Sequence, residues 1–355
     1  MRRHVLFALV ISLCLFPGTA SADVSLPPGY SYEVFAAVLP GTVPYGMRID
    51  TGDNLFLSVY ETNSVYKVTP EGGVSVFISA FQPMGIDFDA SGNIYIGRCI
   101  NNNSIAIFDP SGTMIGSVNP LVTFRSNPYP GQVTLDDAGN IFTAIETIGV
   151  GGSRDSVLQI GPPPARTRTI YQLANVDGSN VLDIAVSSSG SVYSANCFGT
   201  DLAEIDPVAG TKRTVAQIPW VSGLLFDTVG FFDGSEDLFV AQWIPGSPPV
   251  YRILRVDVDN GFTVHPFAEN MPIIRDHYGP RLMDFNTNGD LYVSIDGYIY
   301  RIFKTPTNQP PVANAGPDIE VLSANIQYTV IAGTAMDEDE TDLLEYRWVE
   351  GDTVL

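Results

Sequence analysis

Positive charge is scarce in this chain. Lys and Arg number 18 against 39 Asp and Glu, and only three residues are lysine, so the formal net charge is -21 over 355 residues. That balance excludes the phosphate backbone of nucleic acids and anionic membrane surfaces as partners. Charge of either sign is thin, at 16% of residues against ~25% in an average soluble protein. The acidity therefore comes from missing bases rather than from a dense carboxylate coat. Cysteine is nearly absent: of Cys14, Cys99 and Cys197, the first falls in a leader, and two are too few for a disulfide scaffold. No G-x-S-x-G, H-E-x-x-H, C-x-x-C or Walker loop occurs, which removes the common signatures of nucleophilic, zinc and nucleotide chemistry. No segment sustains a 3.6-residue apolar period free of Gly or Pro, so helical solenoids are excluded.

What is present begins with a leader. Met1-Arg-Arg-His4 precedes an apolar run from Val5 to Phe16, then Pro17-Gly18 and the small residues Ala20-Ser-Ala22. Such a run is too short to span ~30 Å of bilayer as a helix, and the pattern predicts a cleaved signal peptide over residues 1–22. The mature chain is expected to be secreted, extracellular or periplasmic, without a membrane span, and monomeric.

One phrase recurs six times: Asn54-Leu-Phe-Leu-Ser58, Asn93-Ile-Tyr-Ile-Gly97, Asn140-Ile-Phe-Thr-Ala144, Ser191-Val-Tyr-Ser-Ala195, Asp237-Leu-Phe-Val-Ala241 and Asp290-Leu-Tyr-Val-Ser294. An apolar stretch ending in a turn precedes each copy, and two further strand-like runs follow. Four short strands repeated every ~40–50 residues predict β-propeller blades, and six copies predict six blades over residues 23–304. The small residue closing each phrase suits strands that crowd toward a central axis. Only Tyr298–Phe303 remains after the last copy, one strand short of a blade. Tyr30–Val38 is expected to supply the missing outer strand and cover an open edge. Cys99 and Cys197 occupy equivalent positions two blades apart, about 120° around the axis. They are therefore expected to be free thiols unless both sit almost on that axis.

Gly92-Asn-Ile-Tyr-Ile through Asn102-Asn-Ser-Ile-Ala-Ile-Phe-Asp-Pro-Ser-Gly112 resembles an NHL repeat. Asn54-Leu-Phe-Leu-Ser through Asn63-Ser-Val-Tyr-Lys-Val-Thr-Pro-Glu-Gly72 is similar to blades of virginiamycin B lyase. With the gluconolactonase-type propellers, these families share six blades and include both enzymes and binding scaffolds. Gluconolactonase-type enzymes hold a divalent ion with carboxylates and amides just before the inner strands. The matching positions here are Tyr45, Met84, Pro130, Leu182, Ser222 and Arg281; none is a carboxylate, so no such metal site is expected.

After a stiff linker at residues 305–311, with three prolines in seven residues, residues 312–355 resemble the start of a PKD domain, an immunoglobulin-like sandwich. Pro310-Pro-Val-Ala-Asn-Ala-Gly-Pro-Asp318, Gly333-Thr-Ala and Tyr346-Arg-Trp348 carry this resemblance, and the segment is expected to be truncated. Its acidic turn, with Asp337, Asp339 and Asp342, offers alternating carboxylates suited to Ca²⁺; a solvated acidic hairpin is the other reading. No further cofactor is expected.

Ligand-binding residues are expected on the face where loops enter the inner strands and leave the second strands. Glu61, Arg98, Glu146, Asn196, Gln242 and Asp296 leave second strands there, and Arg275, His277 and Arg281 come from the loop before the sixth blade. His277 is the candidate acid or base, because an imidazole titrates near ~6.5. Solvated loops and hydrogen bonds at a channel mouth would use the same residue types. Two functions follow. One is an extracellular binding or scaffold protein for a glycan, peptide or small polar ligand, with the PKD segment as spacer. The alternative is a lyase or hydrolase acting from the cup.

Overall fold

The computed structural model describes residues 24–80, 82–98, 104–118, 132–146, 154–172, 181–196, 200–246, 248–272 and 282–305, with 312–314, 334–336, 349–350 and 353–354 toward the C-terminus. The leader, Cys99, Cys197, Arg275, His277, Arg281 and the acidic turn with Asp337, Asp339 and Asp342 lie outside the described residues. The chain divides into two units, Met1–Phe303 and Lys304–Leu355.

The first unit carries six four-stranded antiparallel sheets. From inner to outer strand, blade one is Gly46–Ile49, Leu55–Val59, Ser64–Val68 and Val74–Ser79. Blade two is Pro83–Phe88, Ile94–Arg98, Ser104–Phe108 and Met114–Val118. Blade three is Val133–Leu135, Ile141–Glu146, Arg154–Ile160 and Arg168–Gln172. Blade four is Val181–Val186, Val192–Asn196, Asp201–Asp206 and Thr211–Gln217. Blade five is Val221–Asp227, Asp237–Ile244, Val250–Asp257 and Thr263–Ala268. Blade six has Leu282–Phe285, Leu291–Ile295 and Tyr298–Lys304, and its outermost strand is Tyr30–Ala37 from the other end of the chain.

Six apolar cores separate the blades, one at each interface. The two faces of every second strand serve different cores. Leu55, Leu57 and Val59 pack with Leu282, Tyr292 and Ile299 of blade six, whereas Phe56 packs with Ile86, Ile94 and Ile96 of blade two. A strand buried on both faces reads as a continuous apolar run, which is why the recurring phrase is apolar between its ends except at Thr143 and Ser194, both fully buried. Its closing small residue faces the neighbouring blade: the Ser58 hydroxyl donates to the Met84 carbonyl. Inner strands crowd one another near the axis: a Cβ on Gly85 would collide with the Val133 nitrogen, and one on Gly46 would come within 2.8 Å of the Ile86 nitrogen.

In blade four the turn joining inner and second strands is held by two serines, Ser191 N–H donating to Ser187 Oγ at 3.0 Å; in blades one, two, three and six it follows one chemical rule. An acid accepts backbone N–H groups across the turn, and an amide four residues later returns a side-chain bond. Asp50 accepts from the Gly52 and Asn54 nitrogens at 2.9 and 2.8 Å, and from Asn54 Nδ2 at 3.0 Å. Asp89 with Asn93 and Asp136 with Asn140 repeat the pair at 2.9 and 2.7 Å. Blade six swaps the partners, with Asn286 Nδ2 donating to Asp290 at 3.2 Å, and Asp290 also holds Arg301 at 2.7 Å. These side chains satisfy turn donors that would otherwise need water.

In the second unit, Val312–Asn314 pairs with Thr334–Met336, and Val349–Glu350 pairs with Thr353–Val354, both antiparallel.

Candidate functional site

The central channel is where residues far apart in sequence meet. Its inner strands present one backbone edge each, and three aspartates on alternate blades bridge those edges. Asp87 Oδ2 of blade two accepts the Leu135 N–H of blade three at 2.7 Å. Asp183 Oδ2 of blade four accepts Leu224 N–H of blade five at 2.8 Å. Asp284 Oδ2 of blade six accepts Ile49 N–H of blade one at 2.6 Å. The other oxygen of each accepts the N–H of the next residue in its own strand, at 2.9, 2.8 and 3.1 Å. Charge-assisted bonds of this kind are roughly twice as strong as neutral ones. The network clasps the blades in pairs.

Arg48 is the cation of this group. Its Nε lies 3.0 Å from Asp87 Oδ1, and its Nη2 lies 3.5 Å from Thr134 Oγ1. Burial opposes the guanidinium charge, but Asp87, Asp284 and Asp183 outweigh it and raise its pKa. Burial pushes the Asp284 carboxyl up to about 6, with Arg48 and the Ile49 N–H pulling the other way. Around them is a cavity of about 300 Å³ lined by Arg48, Asp87, Thr134, Ala185, Leu225 and Asp284, among others, drawn from all six inner strands. A second cavity of about 430 Å³ shares Ile49, Phe226, Thr228 and Asp284 with the first. It opens at the face carrying the inner-to-second-strand turns, where Asp50, Asp227, Phe231 and Asn286 line it.

Because its folded pKa is raised, Asp284 binds a proton more tightly in the native state than in the unfolded chain. Its contribution to stability is present below an unfolded value of ~3.9 and is lost as pH rises through about 6. Asp284→Asn removes this dependence while keeping an oxygen for Ile49 N–H. Between pH 7 and pH 4 the wild type should gain about 2–3 kcal/mol relative to the variant. Urea denaturation of both proteins checks this, since other carboxylates cancel in the difference; a constant difference would refute it.

At the opposite face, the sequence-predicted residues have varied surroundings. Glu61 is exposed just beyond its strand. Arg98 donates through Nε and Nη2 to Ser104 Oγ at 3.1 and 2.9 Å, and burial lowers its pKa. Gln242 is fully buried; its amide joins the Pro219 carbonyl and the Arg252 guanidinium, each at 2.5 Å. Asp296 is 7% exposed and, with Gly297, forms a tight hairpin turn at φ 51° and 79°. Its carbonyl accepts Gly41 N–H at 3.0 Å. Glu146 and Asn196 end the second strands of blades three and four, across from Arg154 and Val181. No described contact joins any two of these residues.

Aromatic residues occupy the same face, among them Trp243, which the sequence places there, and Tyr45 at the entry to the first inner strand. Tyr45 and Tyr60 of blade one stand 5.8 Å apart, and Trp220 and Trp243 of blade five meet edge to face at 5.7 Å. All four are half-buried. Tyr60 and Trp243 each lie two residues after the closing small residue of their phrase, the spacing already shared by Glu146 and Asp296, so the repeat carried this signal. Among the described residues, no three His, Cys, Asp or Glu side chains stand in metal-ligand geometry. No helix of the described residues is long and apolar enough to cross a membrane.

No protein-family model and no curated protein sequence matches the chain. Solved structures do resemble it. A gluconolactonase from Xanthomonas campestris has a TM-score of 0.56 at 14% identity, covering 76% of this chain and 88% of that one. A virginiamycin B lyase from Staphylococcus aureus has 0.51 at 13% identity, covering 79% and 99%. A luciferin-regenerating enzyme has 0.55 at 17% identity, covering 77% and 95%. At such identities the likeness carries the fold alone, and that fold is the six-bladed β-propeller.

Proposed function

We propose that the protein is an extracellular binding module whose ligand, a glycan, peptide or small polar molecule, docks on the face bearing the two aromatic pairs. The observation that carries this reading is the placement of Tyr45 with Tyr60 and Trp220 with Trp243 at equivalent ends of two blades, half-buried on one face. Aromatic side chains supply apolar area with a polar edge and rank among the strongest contributors to recognition. Trp220 also holds a left-handed backbone, φ 59°, a conformation costly for a bulky residue and concentrated at binding sites. The residues expected from the sequence on this face, Glu61, Glu146, Asn196, Arg275 and Arg281, would bring polar groups of both signs to such a ligand. The C-terminal segment serves as a spacer.

Retention of glycans, peptides and envelope fractions identifies the ligand class. Trp243→Ala and Tyr60→Ala should then weaken binding by about tenfold or more, whereas the rim variant Lys212→Ala should leave it unchanged. Equal loss in all three would place the ligand elsewhere. The second reading is a lyase or hydrolase working from the same cup with His277 as acid or base. It draws on propellers of this fold that act as a lyase and a gluconolactonase. Turnover of lactones or cyclic esters, abolished by His277→Ala, would replace the binding reading.

A further inference from the structure

Blade five departs both from the acid–amide pair of blades one, two, three and six and from blade four, where Ser191 N–H donates to Ser187 Oγ at 3.0 Å. Its inner strand ends at Asp227 and its second strand begins at Asp237, the positions held by an acid and an amide in blades one, two, three and six. Here both are carboxylates. They stand directly opposite each other in the ladder, and Asp237 is also opposite Asp257, so three aspartates form one row across three strands. Asp227 is 1% exposed and Asp237 is fully buried. Asp227 Oδ2 accepts Phe232 N–H at 3.0 Å, but Asp227 Oδ1 and both oxygens of Asp237 are buried without a hydrogen bond.

The nearby charges do not balance this row. Arg255 faces Asp237 Oδ2 at 3.3 Å and is shared with Asp233 of the hairpin. One guanidinium is thus divided between Asp233 and Asp237, while Asp227 and Asp257 stand in the same row. Like charges directly opposite in a sheet are destabilising, and buried carboxylates whose charge is only partly compensated are costly. Asp227 also lines the cavity of about 430 Å³ at the turn face, which gives a small ion a route from solvent.

We propose that Asp227 and Asp237 bind one hard divalent cation between them, in place of the acid–amide hydrogen bond of blades one, two, three and six. Two carboxylates are the protein anchors. Backbone carbonyls and water complete the shell, as is usual for oxygen-ligated Ca²⁺ and Mg²⁺. The cation supplies the positive charge that Arg255 alone does not. Burial, with Asp233, Asp257 and Asp227 adding to it and Arg255 opposing it, raises the Asp237 pKa to about 6, as expected of a carboxylate short of positive charge.

The test uses the full chain, stripped with EDTA and titrated with CaCl₂ or MgCl₂ at pH 7.5, reading melting temperature and bound metal per chain after dialysis. Wild type should bind one equivalent more than Asp237→Asn, and its melting temperature should rise by about 5 °C at a hundredfold excess over Kd. Asp237→Asn recreates the acid–amide pair of blades one to three. It should melt higher than the wild type in EDTA and lose the response to this site. Asp227→Asn recreates the reversed pair of blade six and gives the same readout should the first variant fold poorly. Equal metal content in wild type and variants, or equal shifts from diffuse binding to the acidic surface, would overturn the proposal. So would a wild-type melting temperature indifferent to cations.

Discussion

Removal of residues 24–40 should cost the propeller about 5 kcal/mol or more, a large share of the ~5–15 kcal/mol of a typical domain. This segment is tied to two blades. Ser25 exchanges backbone hydrogen bonds with Glu269 at 3.0 and 2.9 Å, and Tyr30 stacks on Phe232 with centroids 5.7 Å apart, both in blade five. The strand Tyr30–Ala37 then covers the outer edge of blade six. Phe35 packs edge to face on Tyr292 at 5.0 Å, and Val38 N–H reaches the Gly297 carbonyl at 2.9 Å. Deleting one large core aromatic alone costs ~3–5 kcal/mol, and an uncovered strand edge invites aggregation. Calorimetry on the shortened chain reads the effect. A melting temperature within a degree of the intact protein would show that the segment does not hold the ring.

Arg48→Met should be nearly as damaging at neutral pH. It leaves Asp87 and Asp284 in the channel without their cation, and breaking a buried pair in this way costs ~3–5 kcal/mol. The loss should shrink as pH falls. Without Arg48 the Asp284 carboxyl, already raised to about 6 by burial, rises further and takes a proton, which removes the uncompensated charge. Urea denaturation at pH 7 and pH 5 separates this from simple repacking. A loss of the same size at both values would mean that the methionine fits badly and that charge is not the cause.

The blades were legible because every second strand is buried on both faces and closes on a small residue, so six copies of one phrase stood out. The channel network was not legible. Asp87 and Asp284 share a position within their repeats, but Asp183 sits two residues earlier and Arg48 takes the acid's place in blade one. Aligned repeats therefore hide an arrangement that appears only when neighbouring inner strands are placed edge to edge. The blade-five row was hidden differently. Asp237 passed as one more small polar opening of the phrase, and the longer hairpin at residues 228–236 separated it from Asp227. On the predicted binding face, residue type alone could not distinguish Gln242, whose amide is consumed by Pro219 and Arg252, from the exposed Glu61.

Five of the six interfaces join segments that are neighbours along the chain, and the sixth does not. The side-chain clasps between successive blades span 39, 48 and 41 residues, whereas Ile49 to Asp284 and Thr287 to Asp53 span 235 and 234. Bringing the distant ends together costs about 1.5 kcal/mol more loop-closure entropy than a step between neighbours. Contacts of such long range form late in folding. A growing chain can thus assemble its blades in order of synthesis while the ring stays open, exposing one unpaired apolar face on blade one and one on blade six. Until the last blade closes, those two faces are complementary to the same faces on a second copy. Folding at high concentration is where exchanged, ring-opened oligomers would arise.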